Sequence, residues 1–117
     1  DLKKKNRKRI LILGLTFKED CSDLRDSKVF SIINTLKKKN CKIDVFDPWV
    51  NYKDLQKKID FNLLVKLKNN KYDAIILAVA HSIFRNIGFE KFNSLKKRNG
   101  FFYDVKSLFY GKNVECL

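Results

Sequence analysis

With 117 residues, 44% of them hydrophobic and only 1 Pro and 4 Gly, the chain has material for one globular domain, and its composition excludes disorder and a loop-rich disulfide scaffold. The formal net charge of +13 would suit a polyanion, but the excess is nearly all lysine in short runs, at residues 3–5, 37–39, 57–58 and 96–97. Basic and aromatic residues are not interleaved on one element as in nucleic-acid binders, and no apolar run approaches a membrane span, so neither nucleic acid nor a membrane is the expected partner.

Residues 1–9 read as an exposed basic lead-in. Residues 10–15 are a nearly continuous apolar run containing Gly14, which suits a strand covered on both faces in a parallel sheet. A polar loop over residues 16–26 leads into a helix in which Val29, Ile32, Ile33 and Leu36 recur at helical spacing. Asp26 or Ser27 would cap that helix, lysines would complement the dipole in its last turn, and Asn40 would supply a left-handed stop.

A second strand over residues 42–46 ends at Asp47-Pro48, since proline interrupts the ladder and disfavours helix at the residue before it. Short helices are expected over residues 52–58 and 61–68. A third strand follows at residues 73–80, then a turn carrying His81, and then a helix over residues 89–97 with Phe92 and Leu95 facing inward. Residues 101–105 form a fourth strand and residues 114–116 a short fifth one. Alternating strands and helical crossovers predict a Rossmann-like, doubly wound parallel α/β sheet in a single domain, with the first strand near its centre.

Cys21, Cys41 and Cys116 are far apart and lack a C-x-x-C pair, and His81 is the sole histidine, so no metal-ligand spacing is present. Odd cysteines without a signal-like stretch suit a reduced, cytoplasmic protein.

Open α/β sheets bind ligands beyond the carboxyl ends of their strands, which points to residues 16–25, 47–49, 80–84 and 104–108. The first of these loops lacks G-x-G-x-x-G: Gly14 is followed by Leu15, Thr16, Phe17 and Lys18. In its place an aromatic ring stands beside a lysine, and Arg25 stands near a helix start. A ring can cover a ribose or base, Lys18 can supply a point charge, and the Arg25 guanidinium can fork onto phosphate oxygens. The structural alternative puts Phe17 in the core, Lys18 in solvent and Arg25 on Asp23 or Asp26.

Gly14-Leu-Thr-Phe-Lys18 followed by Asp23-Leu-Arg-Asp-Ser27, then Asp47-Pro48-Trp49, Ala78-Val-Ala-His81 with Phe84, and Asp104-Val-Lys106 together resemble the UDP-binding C-terminal domain of the UDP-glucose/GDP-mannose dehydrogenase family. The variant with Trp49, His81 and Asp-Val-Lys is most similar to the bacterial branch that oxidises UDP-N-acetylhexosamines. The resemblance implies oxidation of the C6 alcohol of a UDP-sugar to a carboxylate in two NAD-dependent hydride steps, making a UDP-uronic acid for polysaccharide synthesis. It also implies that residues 1–117 are one C-terminal domain, and that the N-terminal NAD-binding domain with the cysteine nucleophile and the central dimerisation helix lie outside it. On that basis no catalytic residue is expected here, and Cys21 is not the nucleophile. Phe17, Lys18 and Lys106 would line the UDP-sugar, and Arg25 would reach the pyrophosphate of NAD bound mainly by the other domain. The full-length enzyme would be a homodimer, and this chain alone would be inactive. The competing reading from the residues is a free-standing α/β nucleotide-binding regulatory module, with a basic nucleic-acid-binding protein behind it.

Overall fold

The computed structural model describes residues 7–51, 53, 55, 59–112 and 114–116. Its elements in chain order are β1 (Arg9–Leu13), α1 (Val29–Lys38), β2 (Lys42–Phe46), β3 (Asn62–Leu64), β4 (Tyr72–Leu77), α2 (Ser82–Ile87), α3 (Phe89–Asn93), β5 (Lys96–Asp104) and β6 (Glu115–Cys116). Among the described residues the strands form one sheet in the order β3-β2-β1-β4-β5-β6, and every neighbouring pair is parallel. This is the strand order of a doubly wound sheet that reverses direction at β1 and β4.

β1 lies between β2 and β4, with Ile10 opposite Ile43 on one side and Ala74 on the other. Successive side chains of a strand point to opposite faces. Leu11 and Leu13 accordingly join Phe84, Phe92 and Phe102 in one core, whereas Ile10 and Ile12 join Val29 and Ile33 of α1 in the other. Leu11, Ile12 and Leu13 are fully buried, which is why β1 reads as a continuous apolar run. The helices α2 and α3 are too short to persist by propensity. They are held by ring packing: Phe84 meets Phe92 edge-on at 5.8 Å, and Phe89 stacks on Phe102 at 5.7 Å.

Several boundaries depart from the sequence expectation. β1 opens at Arg9, within the expected lead-in, whose residues 1–6 lie outside the described residues. It closes at Leu13 because Gly14 turns the chain at φ 99°. Lys28, not Asp26 or Ser27, occupies the N-cap position of α1 and its side chain makes no capping bond, but Ser27 Oγ does accept from the first helical N–H, that of Val29, at 3.3 Å. Asp26 is held at φ 62°, and the Ser27 hydroxyl is donated to the Leu15 carbonyl at 2.6 Å, which fastens the start of the helix to the end of β1. Asn40 stops the helix at φ 61°, as expected.

The helix expected at residues 61–68 is instead β3 in its first half, with Val45 opposite Leu63 and Phe46 opposite Leu64. Leu64 enters one core while Phe61 and Leu63 pack on the other, a two-sided burial that a short apolar run does not distinguish from a helix. Asn62 also has a polar reason to be there. Asp44 is buried within β2, and its carboxylate accepts from Asn62 Nδ2 at 3.0 Å and from the Tyr72 hydroxyl at 2.6 Å. Burial, with the Asp44 charge behind it, pushes the Tyr72 phenol well above its usual range, so it remains a donor. The helix expected over residues 52–58 falls mainly outside the described residues.

The helix expected over residues 89–97 ends at Asn93, and β5 begins at Lys96 instead of residue 101. The Leu95 carbonyl accepts from Tyr72 N–H at 2.7 Å, drawing this segment into the sheet, and the register then jumps from Tyr72↔Lys96 to Ala74↔Phe101. Phe92 and Leu95 do face inward.

Of the four glycines Gly14 is the most closely packed, since a Cβ there would stand 2.6 Å from Val79 Cβ and 2.8 Å from Val79 N. At Gly88, also at positive φ, a Cβ would meet nothing within 4 Å. Gly14→Ala should therefore cost the backbone strain plus a clash, on the order of 3 kcal/mol, against about 1 kcal/mol for Gly88→Ala. Thermal unfolding followed by circular dichroism should show a fall in Tm at least twice as large for Gly14→Ala; equal shifts would contradict this account of the β1 terminus.

Candidate functional site

The carboxyl ends of β1, β2, β4 and β5 open on one edge of the sheet, and each carries a buried polar residue, Thr16, Asp47, His81 and Asp104. Asp47, the first residue after β2, is 5% exposed. Its Oδ2 accepts from Leu15 N–H at 2.6 Å, Thr16 N–H at 3.1 Å and His81 Nε2 at 3.0 Å, while Oδ1 accepts from Trp49 N–H at 2.8 Å. Burial alone would push this carboxyl up, but the hydrogen bonds from His81 and the Leu15 backbone outweigh it and hold it below the usual carboxylate range. The strand-ending turn expected at Asp47-Pro48 is thus also a hub joining three strands.

His81 is fully buried at the corner between β4 and α2, edge-on to Phe84 at 5.3 Å and 6.1 Å from the Trp49 ring. Asp20 N–H donates to its Nδ1 at 2.9 Å, so the ring proton sits on Nε2, facing Asp47 and, at 3.1 Å, Thr16 Oγ1. The Thr16 hydroxyl is donated onward to the Lys18 carbonyl at 3.1 Å. Asp20 turns at φ 55°, and its carboxylate accepts from both Ser82 N–H, at 2.8 Å, and the Ser82 hydroxyl. The Ser82 side-chain bond, with the backbone bond behind it, holds the Asp20 carboxyl below its ordinary value. His81 therefore shapes the end of β4.

The loop so anchored presents two of the expected site residues side by side. Phe17 is 51% exposed and Lys18 is exposed, so the ring is not in the core. The loop closes on itself through Phe17 N–H to the Asp23 carbonyl at 2.7 Å, and Leu24 packs back onto the α1 core. Arg25 lies at the far end of this loop. Its guanidinium forks onto the Asp23 carboxylate, with Nε 3.0 and 3.3 Å from the two oxygens and Nη2 at 3.0 Å from Oδ2. This is the local pairing weighed as the structural alternative, and it is an exposed one, with the Arg25 side chain 88% accessible. Such a pair contributes little and can be exchanged for another anion.

Lys106 is exposed just beyond β5, separated from the β1 loop by the end of β4. Asp104, fully buried before it, accepts from Phe109 N–H at 2.6 Å and so closes the turn that carries Lys106. Cys21 is half-buried in the β1 loop, its Sγ accepting from Asp23 N–H at 3.4 Å. Trp49, 42% exposed at the same edge, lies in the stretch 47–49 that the strand-end rule picks out, but the sequence alone assigns it no binding role. Its Asp-Pro-Trp context was the available signal, but only the fold shows which edge it faces.

Charge is distributed unevenly between the two edges. Residues 7–9, 37–39, 42, 71 and 96–98 are all cationic and stand at the amino ends of the parallel strands or at the end of α1 that leads into β2. The carboxyl-edge loops mix Lys18, Arg25 and Lys106 with Glu19, Asp20, Asp23 and Asp26. Those eleven cations, of the 26 Lys and Arg in the chain, are therefore not aimed at this site. Among the described residues no group of three His, Cys, Asp or Glu could hold a metal ion.

Residues 11–110 match the model of the UDP-glucose/GDP-mannose dehydrogenase family, UDP binding domain. The chain is 45% identical over 100 residues to a UDP-N-acetyl-D-glucosamine 6-dehydrogenase of Pseudomonas aeruginosa, covering 86% of this chain and 24% of the relative. It is 38% identical over 97 residues to the enzyme of the same name from Salmonella typhi, covering 83% and 23%. In fold it is similar to a UDP-D-ManNAc dehydrogenase from Pyrococcus horikoshii, with a TM-score of 0.71 and 19% identity over 97% of this chain and 26% of that one. The UDP-N-acetyl-mannosamine dehydrogenase Cap5O from Staphylococcus aureus gives a TM-score of 0.66 at 20% identity, over 95% and 25%. The chain thus spans about a quarter of the length of these relatives. It belongs to the UDP-glucose/GDP-mannose dehydrogenase family, as the UDP-binding domain of that family.

Proposed function

We propose that residues 1–117 are the C-terminal domain of an NAD-dependent 6-dehydrogenase, and that they bind the UDP-sugar while another part of the enzyme carries out the oxidation. The observation that carries this reading is the exposed Phe17-Lys18 pair, held on an anchored loop at the carboxyl edge of a chain 45% identical to a UDP-N-acetyl-D-glucosamine 6-dehydrogenase. A UDP-N-acetylhexosamine is accordingly the proposed substrate, ahead of UDP-glucose, and the product a UDP-uronic acid for polysaccharide synthesis. Phe17 supplies a face for an aromatic or sugar ring, and Lys18 and Lys106 supply point charges for the diphosphate. That the chain spans only about a quarter of its relatives supports a domain of a larger enzyme over a free-standing regulatory module.

The residues here do not build a dinucleotide site by themselves. The turn after β1 lacks the glycine fingerprint, and its carboxylates Glu19, Asp20, Asp23 and Asp26 would repel a pyrophosphate. What the chain can offer NAD is the Arg25 guanidinium, exposed and exchangeable from Asp23, toward phosphates held on the N-terminal domain. When bound, NAD accepts the hydride; this chain's part is to hold and orient the sugar nucleotide. The enzyme is proposed to act as a cytoplasmic homodimer, and no described helix is long and apolar enough to cross a membrane.

Two measurements test the assignment. The purified 117-residue chain should produce no NADH above background with any UDP-hexose or UDP-N-acetylhexosamine. In the full-length enzyme Lys18→Ala should lower kcat/KM for the UDP-sugar, and Arg25→Ala that for NAD, each by about tenfold to a hundredfold, as expected for loss of a charge-assisted contact. Neither change should move Tm appreciably, since both side chains are exposed. Intact kinetics with a lowered Tm would show that Arg25 serves only its pairing with Asp23.

A further inference from the structure

We propose that His81 is a positioning residue for nucleotide-sugar binding: its two ring nitrogens clip the loop over residues 15–20 at both ends and so set where Phe17 and Lys18 stand. The proposal rests on reading the carboxyl edge as the UDP-sugar site.

Phe17 and Lys18 lie between two fastenings, and both run through the same imidazole. Upstream, Nε2 bonds the Asp47 carboxylate that holds Leu15 and Thr16 N–H, and it also stands 3.1 Å from Thr16 Oγ1. Downstream, Nδ1 accepts from Asp20 N–H at 2.9 Å. Asp20 needs such a fastening because it sits at φ 55°, where a side-chain-bearing residue is strained. Ser82, the next residue along from His81, takes the Asp20 carboxylate through its N–H and hydroxyl, so the β4–α2 corner grips Asp20 by backbone and side chain together. Phe84 and Trp49 flank the imidazole and leave it no room to turn away.

The chemistry also explains why a histidine occupies this corner. One group must donate toward Asp47 and, from its opposite side, accept from a backbone N–H. A neutral imidazole does both across one rigid ring. A shorter amide copies one half only: in His81→Asn the amide oxygen stands where Nδ1 was, and in His81→Gln the amide nitrogen stands where Nε2 was. The two variants therefore separate the two fastenings.

The test is amide hydrogen exchange of the 117-residue chain by NMR, paired with UDP affinity of the full-length enzyme by calorimetry, for His81→Asn, His81→Gln and His81→Ala. The expected result is that the Asp20 amide exchanges at least about tenfold faster in the Gln and Ala variants but within about threefold of the parent in the Asn variant. Protection of the β1 and β4 amides should be retained in the Asn and Gln variants. UDP affinity should fall about tenfold with Gln and with Ala, and by less with Asn, which keeps the Asp20 fastening and loses only the donor to Asp47. Unchanged exchange at Asp20 in all three variants, or a uniform loss of protection across the sheet, would overturn the proposal by making His81 an ordinary core residue. Lys18→Ala separates the two claims. If it weakens UDP while the loosened His81 variants do not, the positioning role fails; if UDP affinity is indifferent to Lys18 as well, the assignment of the edge fails.

Discussion

The carboxylate of Asp47 is the interaction on which the site depends. Placed at the end of β2, it accepts four N–H donors, two from the end of β1, one from the β4–α2 corner and one from its own turn. Burying an ionised carboxylate is costly unless such partners compensate it. The same bonds that compensate it bring three strand ends into one arrangement. The close approach of Gly14 to Val79 permits this, because a larger residue would separate the β1 and β4 corners that Asp47 and His81 join. The loop that leaves β1 is consequently fastened at its root, at Asp20 and at Leu24, with exposed chemistry between.

That arrangement suits recognition more than chemistry. A rigid edge with an exposed ring and separate lysines can hold an anionic, ring-bearing ligand, while the buried groups Asp44, Asp47 and His81 are hydrogen-bonded into the framework and Asp104 is held there through Oδ2 alone, its Oδ1 being buried without a partner among the described residues. The charge distribution points the same way. Eleven of the 26 Lys and Arg residues lie at the opposite, amino edge, so an anion at the carboxyl edge would meet a few placed cations, Lys18, Arg25 and Lys106 among them.

Much of this was legible in the sequence. β1 is carried by a continuous apolar run, α1 by a 3.6-residue periodicity and β2 by its stop at Asp47-Pro48, and the order of the Phe-Lys, Asp-x-Arg, Asp-Pro and Asp-Val-Lys pieces identified the family that the relatives confirm. β3 was not legible, because Phe61 and Leu63 pack on one face, Leu64 on the other, and Val65 is exposed, so the run shows no clean period. The early start of β5 was hidden by charged Lys96 to Arg98, which enter the sheet only because Leu95 pairs with Tyr72. The His81 clip was invisible for a different reason: its partners Thr16, Asp20 and Asp47 lie 65, 61 and 34 residues away, and only the parallel order of β2, β1 and β4 brings them together.

The central claim is that UDP is recognised at the anchored carboxyl edge. It is tested most directly by titrating the isotopically labelled chain with UDP and following backbone amide shifts. The account predicts saturable shifts confined to Phe17, Lys18, Trp49, Lys106 and their immediate neighbours, with Lys42, Lys71 and residues 96–98 unaffected. Shifts centred on those amino-edge cations, weakening as salt is raised and reproduced by inorganic phosphate, would contradict it.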